Sequence, residues 1–230
     1  MRILAIDASC GAASAAVVDS GRLEPLAIFS RTMLRGHAEA LAPIVDEAAH
    51  SVEGGLGSLS RIAVTTGPGS FTGIRVGVAL ARSMGLALGV PVVGVSTLMA
   101  FAAQLLATPR QGVIAAAIDA RHGSVYFQLF EPSGRPLGVP RCDALRECVR
   151  QIGEGPALLA GNAAGLIAAE AHRAGLPYDL ELATDAPDIV AVARMGLALD
   201  PSANPARPLY VKTPDARPNP TEPIARAPAR

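Results

Sequence analysis

RIAVTTGPGSFTGIRVGVALARSMGLALGVPVVGVST, residues 61–97, joins an apolar strand, a glycine turn and an almost uncharged helix. From Gly73 onward small residues recur at every fourth position: Gly73, Gly77, Ala81, Gly85 and Gly89. That spacing aligns them along one helical face as a shallow groove. Glycine within a helix costs about 1 kcal/mol relative to alanine, so several on one ridge call for close approach by another element. The other faces carry Ile74, Val76, Val78, Leu80, Met84, Leu86 and Leu88, with Arg75 and Arg82, seven apart, as the only charges. A helix apolar nearly all round is covered on more than one side. The pattern alone leaves open whether the second cover is a helix of the same chain or another subunit.

The turn Gly67-Pro68-Gly69-Ser70-Phe71-Thr72-Gly73 lies between strand and helix, where a nucleotide loop would lie. It fails both tests for one. A Walker loop continues with Lys and Ser or Thr, whereas Ile74 and Arg75 follow here. A dinucleotide loop has its third glycine one residue earlier and an acidic residue about 20 positions on, where this chain has Pro91 to Val95. The turn reads as the start of a closely packed helix capped by Ser70 or Thr72.

The 230 residues suffice for one domain or two small ones. Half of them are hydrophobic but only 3% are aromatic and none is Trp, so the core is aliphatic and base-stacking platforms are poorly supplied. Twenty basic and twenty acidic residues cancel, which removes the basic footprint of a protein that grips nucleic acid unaided. Cys10, Cys142 and Cys148 are odd in number and not closely paired, indicating neither a disulfide framework nor a zinc site. With Asp7 interrupting any apolar leader, a cytoplasmic chain is expected. Residues 83–109 carry no charge, yet Gly89, Pro91 and Gly94 divide them into helix end, short strand and helix rather than a membrane span.

The chain repeats itself in outline. ILAIDAS and VIAAAIDA are apolar strands ending in Asp7 and Asp119. Each is followed by a polar turn, a second strand (14–18; 125–130), a Ser-Gly-Arg turn and a third extended run. Then come helix, strand, helix: 37–52, 62–66 and the glycine-started helix in the first half, and 143–151, 157–160 and 163–173 in the second. Such a duplication predicts two α/β lobes with mixed sheets and a cleft between them. We divide the chain into a lobe over 1–107, a second over 108–212 and a Pro-rich flexible tail over 213–230.

Duplicated β-β-β-α-β-α lobes with an Asp ending each first strand resemble the actin, Hsp70 and sugar-kinase (RNase H-like) superfamily, in which those turns face a nucleotide phosphate chain. The ordered strings ILAIDAS, HAEALAP, IAVTTGPGSFTGIRVGVALARSMGLAL, PVVGVSTL, IDARHGSVY and PLYVKTPDAR, running to about Arg217, resemble the TsaB (YeaZ) family more narrowly. The resemblance implies a non-catalytic subunit of the bacterial machinery that places threonylcarbamoyl on N6 of the adenosine beside the anticodon of tRNAs reading ANN codons. It also implies a catalytic paralogue, TsaD, and an ATPase, TsaE, as partners, with tRNA engaged only through the complex and no membrane.

The residues agree with a loss of chemistry. The paralogue holds a metal with two histidines four apart on one helical face; here His37 is followed by Leu41, and His50, His122 and His172 form no such pair. DASCGAAS lacks the Gly-Thr that closes around phosphate, and DARHGS has Arg121 and His122 in place of paired glycines. Asp7, Ser9 and Asp119 are therefore read as vestigial phosphate or cation turns, with no tightly bound ATP or metal expected on this chain. No G-x-S-x-G elbow supports acyl transfer. The expected partner interface joins the apolar stripe of residues 36–49 to the glycine helix, through His37, Leu41, Ile44, Gly73, Val76, Gly77, Leu80, Ala81, Met84 and Gly85, as a four-helix bundle with a TsaD-like chain or with a second copy. The rivals are a kinase or ATPase of the same superfamily and a self-associating structural protein.

Overall fold

The computed structural model describes residues 1–106, 112–176, 178 and 180–212. The segment 213–230, with the tail expected there, lies outside them. Apolar runs bounded by turn residues form two five-stranded mixed sheets. In the first, β1 (Arg2–Asp7) pairs antiparallel with β2 (Ala12–Asp19) and β2 with β3 (Ala27–Thr32). On its other side β1 runs parallel to β4 (Arg61–Gly67), and β4 to β5 (Val92–Ser96). The second sheet repeats this order with β6 (Val113–Asp119) at its centre. Antiparallel β7 (Ser124–Phe130) and β8 (Arg141–Ala144) lie on one side of it, and parallel β9 (Ala157–Ala160) and β10 (Leu180–Leu182) on the other.

The inner strands of each sheet are covered on both faces, which is why β1, β4, β6 and β9 read as apolar runs. Leu4 and Ile6 of β1 point toward α1 (His37–His50) and α2 (Phe71–Leu88), while Ile3 and Ala5 face α6 (Ile189–Ala198). In the second sheet Ala115 and Ala117 meet α4 (Leu145–Ile152) and α5 (Ala164–Arg173), and Ile114, Ala116 and Ile118 meet Leu98, Phe101 and Leu105 of and just beyond α3 (Thr97–Ala103). The lobes thus exchange helices: α3 of the first half covers the second sheet and α6 of the second half covers the first. The division at 107/108 separates the sheets but not the cores, because the apolar back of each sheet is covered largely by the other half's helix, with Ala100 of α3 adding to the cover of the first. Arg61 secures the exchange by donating to the Gly196, Leu197 and Leu199 carbonyls at the end of α6, at 2.9, 3.3 and 3.0 Å.

Two local differences from the sequence reading have physical causes. The third strand of the second meander forms at Arg141–Ala144, where a helix was expected from 143, and α4 begins at Leu145. Pro136 and Pro140 lack the N–H needed to continue a ladder, so the segment directly after the turn makes one isolated bridge and pairing waits until Arg141. Residues 83–106 divide as expected into the end of α2, β5 and α3. By length and a mean hydropathy of 1.3, α2 is apolar enough to cross a membrane; its inner face lies on the first sheet.

Candidate functional site

The carboxyl ends of β1 and β6 face each other across a cleft of about 330 Å³, lined by residues of both lobes that include Ser9, His37, Ser70, Asp119, Arg121 and Asn162. In the first turn Asp7 is fully buried. Its Oδ1 accepts from Ser9 N (3.0 Å), Ser9 Oγ (2.6 Å) and Thr65 Oγ1 (2.6 Å), while Oδ2 has no partner among the described residues. Burial pushes this carboxyl above the ordinary range of about 3.8, against the pull of the Ser9 and Thr65 hydrogen bonds. Asp7 therefore lies beneath the cleft instead of lining it; Ser9, itself buried, lines the wall, and the partly exposed residues of the turn are Cys10 and Gly11.

The glycine loop closes over that turn. Ser70 N donates to Ser9 O at 2.7 Å, and Gly69, in a backbone conformation that disfavours side chains, abuts the same carbonyl so closely that a Cβ would collide with it. Ser70 then caps α2 by accepting from Gly73 N at 3.2 Å. The His37 ring bonds Cys10 O through Nε2 at 2.8 Å, so this nitrogen is already engaged, and Leu41 one turn on is fully buried. The half-buried Cys10 thiol is pushed up by burial and by the neighbouring Asp7 and Asp185 carboxyls, the opposite of an activated nucleophile.

The second turn differs. Asp119 is exposed at the cleft; its N–H donates to Asn162 Oδ1 at 2.8 Å and its Oδ1 accepts from Arg121 N at 2.8 Å. Arg121 and His122 both adopt left-handed backbone, at φ 67° and 54°, a region that residues other than glycine enter uncommonly. Among the described residues no group of three or more His, Cys, Asp or Glu is placed to hold a metal ion. Thr65, Asn162 and Asp185 are participants that the sequence reading missed. Thr65 lies in an apolar run and Asn162 in a loop string, and only strand pairing brings them to Asp7 and Asp119.

The glycine ridge corrects the expected interface. Gly73, Gly77, Ala81 and Gly85 are buried against this chain's own elements. A Cβ on Gly73 would strike the Ala8 carbonyl and one on Gly85 the Val92 side chain, while at Gly77 it would meet Val64 and Leu41 at 3.6 and 3.9 Å. Leu41 and Ile44 likewise belong to the core under α1, and His37 is buried at the helix start. The small residues let α2 settle onto β1, β4 and α1, so the close approach is internal. Val76, Leu80 and Met84 remain half-buried at the margin of that contact, and the outward surface is formed by Ala38, Ala42 and Pro43 of α1 with Thr72, Ala79, Ser83, Leu86 and Ala87 of α2.

Two copies of a 3-2-1-4-5 sheet, each with an Asp ending its central strand at a shared cleft, define an α/β protein of the actin and sugar-kinase class. The family model described as TsaD, tRNA N6-adenosine threonylcarbamoyltransferase, matches residues 28–193. The chain is 36% identical over 131 residues to the tRNA threonylcarbamoyladenosine biosynthesis protein TsaB of Escherichia coli, a match spanning 57% of this chain and 55% of that one. It is 33% identical over 94% of both chains to an uncharacterized protein of Mycobacterium tuberculosis. YeaZ from Pseudomonas aeruginosa superposes with a TM-score of 0.70 at 26% identity, covering 91% of this chain and 99% of that one. The chain belongs to the TsaB (YeaZ) family, whose named members are tRNA threonylcarbamoyladenosine biosynthesis proteins.

Proposed function

We propose that this chain is a non-catalytic subunit of the assembly that transfers threonylcarbamoyl to N6 of the adenosine next to the anticodon of tRNAs reading ANN codons, and that it binds and supports a TsaD-like catalytic subunit. The observation that carries the reading is the closure of the first turn on itself. Ser9 N–H is spent on Asp7, Ser9 O on Ser70, and the space above is filled by Gly69. A phosphate chain has no backbone N–H array to enter there, and the carboxyl below is held away from the cleft.

The work of the chain then falls to its surface. The outward sides of α1 and α2, with Val76, Leu80 and Met84 at their margin, offer small and apolar residues to a helical pair of the partner's first lobe. ATP and metal belong to the TsaD-like and TsaE-like subunits, tRNA is engaged through the complex, and the setting is the cytoplasm. A homodimer through the same face is the competing assembly of the free chain.

A phosphate-release assay on the isolated chain tests the non-catalytic half of this reading. Release at background is expected. Turnover on the order of 1 per second, abolished by Asp7→Ala, replaces it with a kinase or ATPase. Calorimetric titration with the TsaD-like subunit tests the rest: Ala79→Glu and Ser83→Glu should weaken binding with the melting temperature unchanged.

A further inference from the structure

On the flank of α2 away from α1, the outward face continues into a recessed surface. The chain returns after α6 and runs alongside α2: Gly94 N donates to Asn204 O at 2.8 Å, Pro205 bridges Val93, and Leu209 N donates to Thr66 O at 2.8 Å. Between this strap and α2 lies a groove of about 640 Å³ lined by Arg75, Val78, Ala79, Arg82, Ser83, Leu86, Pro208 and Tyr210. Its floor is apolar, and among the described residues both of its charges are positive and no carboxylate lines it. That is a local bias in a chain whose charges cancel as a whole.

The charges are prepared in different ways. The Arg75 guanidinium sits 3.6 Å above the Phe71 ring and donates through Nε to the Tyr210 hydroxyl at 2.7 Å, with the Tyr210 ring 5.5 Å away. This holds the side chain in place and leaves its terminal nitrogens for a ligand, which lowers the ordering cost of binding. Arg82 is exposed and makes no ion pair or hydrogen bond among the described residues. Seven residues separate the two arginines, two helical turns or about 10 Å on one face. Around them Phe71, Leu86 and Tyr210 are 53%, 87% and 52% exposed. In a chain with only eight Phe and Tyr, two such rings beside an ordered arginine make the residue set typical of binding hot spots.

We infer that the groove between α2 and the 204–210 strap docks an acidic amphipathic helix of another protein, with carboxylates seven residues apart meeting Arg75 and Arg82 and apolar residues between them covering Leu86 and Tyr210. The apolar floor favours a helix over RNA, which would leave Ala79 and Leu86 uncovered and find only two cations among the described residues. The groove shares Ala79, Ser83 and Leu86 with the outward face of α2, so a helix seated in it and the TsaD-like subunit would compete for those residues; a titration made without that subunit reads the groove alone.

The test titrates the full chain, by fluorescence anisotropy, with a labelled 16-residue amphipathic helical peptide carrying leucines on one face and glutamates seven apart. Its glutamine counterpart and a single-stranded RNA oligonucleotide are run beside it. The glutamate peptide is expected to bind about tenfold more tightly than the glutamine peptide. Arg82→Gln should erase most of that difference and Leu86→Asp should abolish binding, with melting temperatures unchanged because both side chains point to solvent. The proposal is overturned if the two peptides bind equally, if neither binds up to about 1 mM, or if RNA is the tighter ligand and loses affinity with Arg82→Gln. It is also overturned if sedimentation shows a dimer that Leu86→Asp converts to monomer, for then a second copy of this chain fills the groove.

Discussion

Gly73 and Ala8 lie so close that a methyl group on the glycine would coincide with the Ala8 carbonyl oxygen. The first turn of α2 is thereby pressed onto the end of β1, and the same approach brings Ser70 N to Ser9 O and seals the turn beneath the cleft.

The ridge is accordingly expected to behave as core. Gly73→Ala should cost about 3 kcal/mol, because rigid backbone must move. Gly77→Ala meets only ordinary contacts at 3.6 and 3.9 Å and should be neutral or stabilising by up to about 1 kcal/mol. Urea unfolding of the isolated chain measures both. A Gly73→Ala protein that unfolds at the wild-type midpoint but loses affinity for the TsaD-like subunit would return the ridge to the interface.

Asp7 makes the fold sensitive to pH. Its carboxyl is raised in the folded protein by burial, so the folded state holds the proton more tightly than the unfolded one. The stability this confers is complete below the ordinary carboxylate range and is lost as pH rises through the folded value. Asp7→Asn keeps an oxygen for Ser9 and Thr65 and cannot ionise, so it should flatten the decline in stability as pH rises above the ordinary carboxylate range. Asp7→Ala instead strands the Ser9 and Thr65 hydroxyls and should cost about 2 to 4 kcal/mol. Unfolding midpoints across that rise separate the variants; equal slopes for wild type and Asp7→Asn would mean that Asp7 titrates normally.

Arg61 should hold the lobes' exchanged helix. Arg61→Ala removes three hydrogen bonds to the C-terminal carbonyls of α6 and is expected to cost about 2 kcal/mol. Amide exchange should accelerate across 189–199 more than in α1 or α5. Uniform acceleration would show that α6 is not a separately opening unit.

His37 is expected to be structural. With Nε2 bonded to Cys10 O and Leu41 in place of a second histidine, elemental analysis of the purified chain should find no stoichiometric zinc or iron. His37→Ala should lower stability by about 1 kcal/mol without changing metal content. One bound metal per chain that disappears in His37→Ala would reverse this assignment.

The sequence by itself determined the duplication and the family. The apolar runs ending in Asp7 and Asp119 and the Ser-Gly-Arg turns are local signals; the strand read at 157–160 forms there as β9, and of the two caps named for the glycine-started helix Ser70 is the one used. Only the tertiary structure decided what the glycine ridge touches. A period of four shows that something approaches closely, but a sheet of the same chain and a helix of another leave the same pattern. It also decided the difference between the paired aspartates. Asp7 and Asp119 end equivalent strands, yet one is buried by Thr65 and the Gly69–Ser70 loop and the other is open beside Asn162. Burial is set by which distant segments arrive, and that information is not local to either strand.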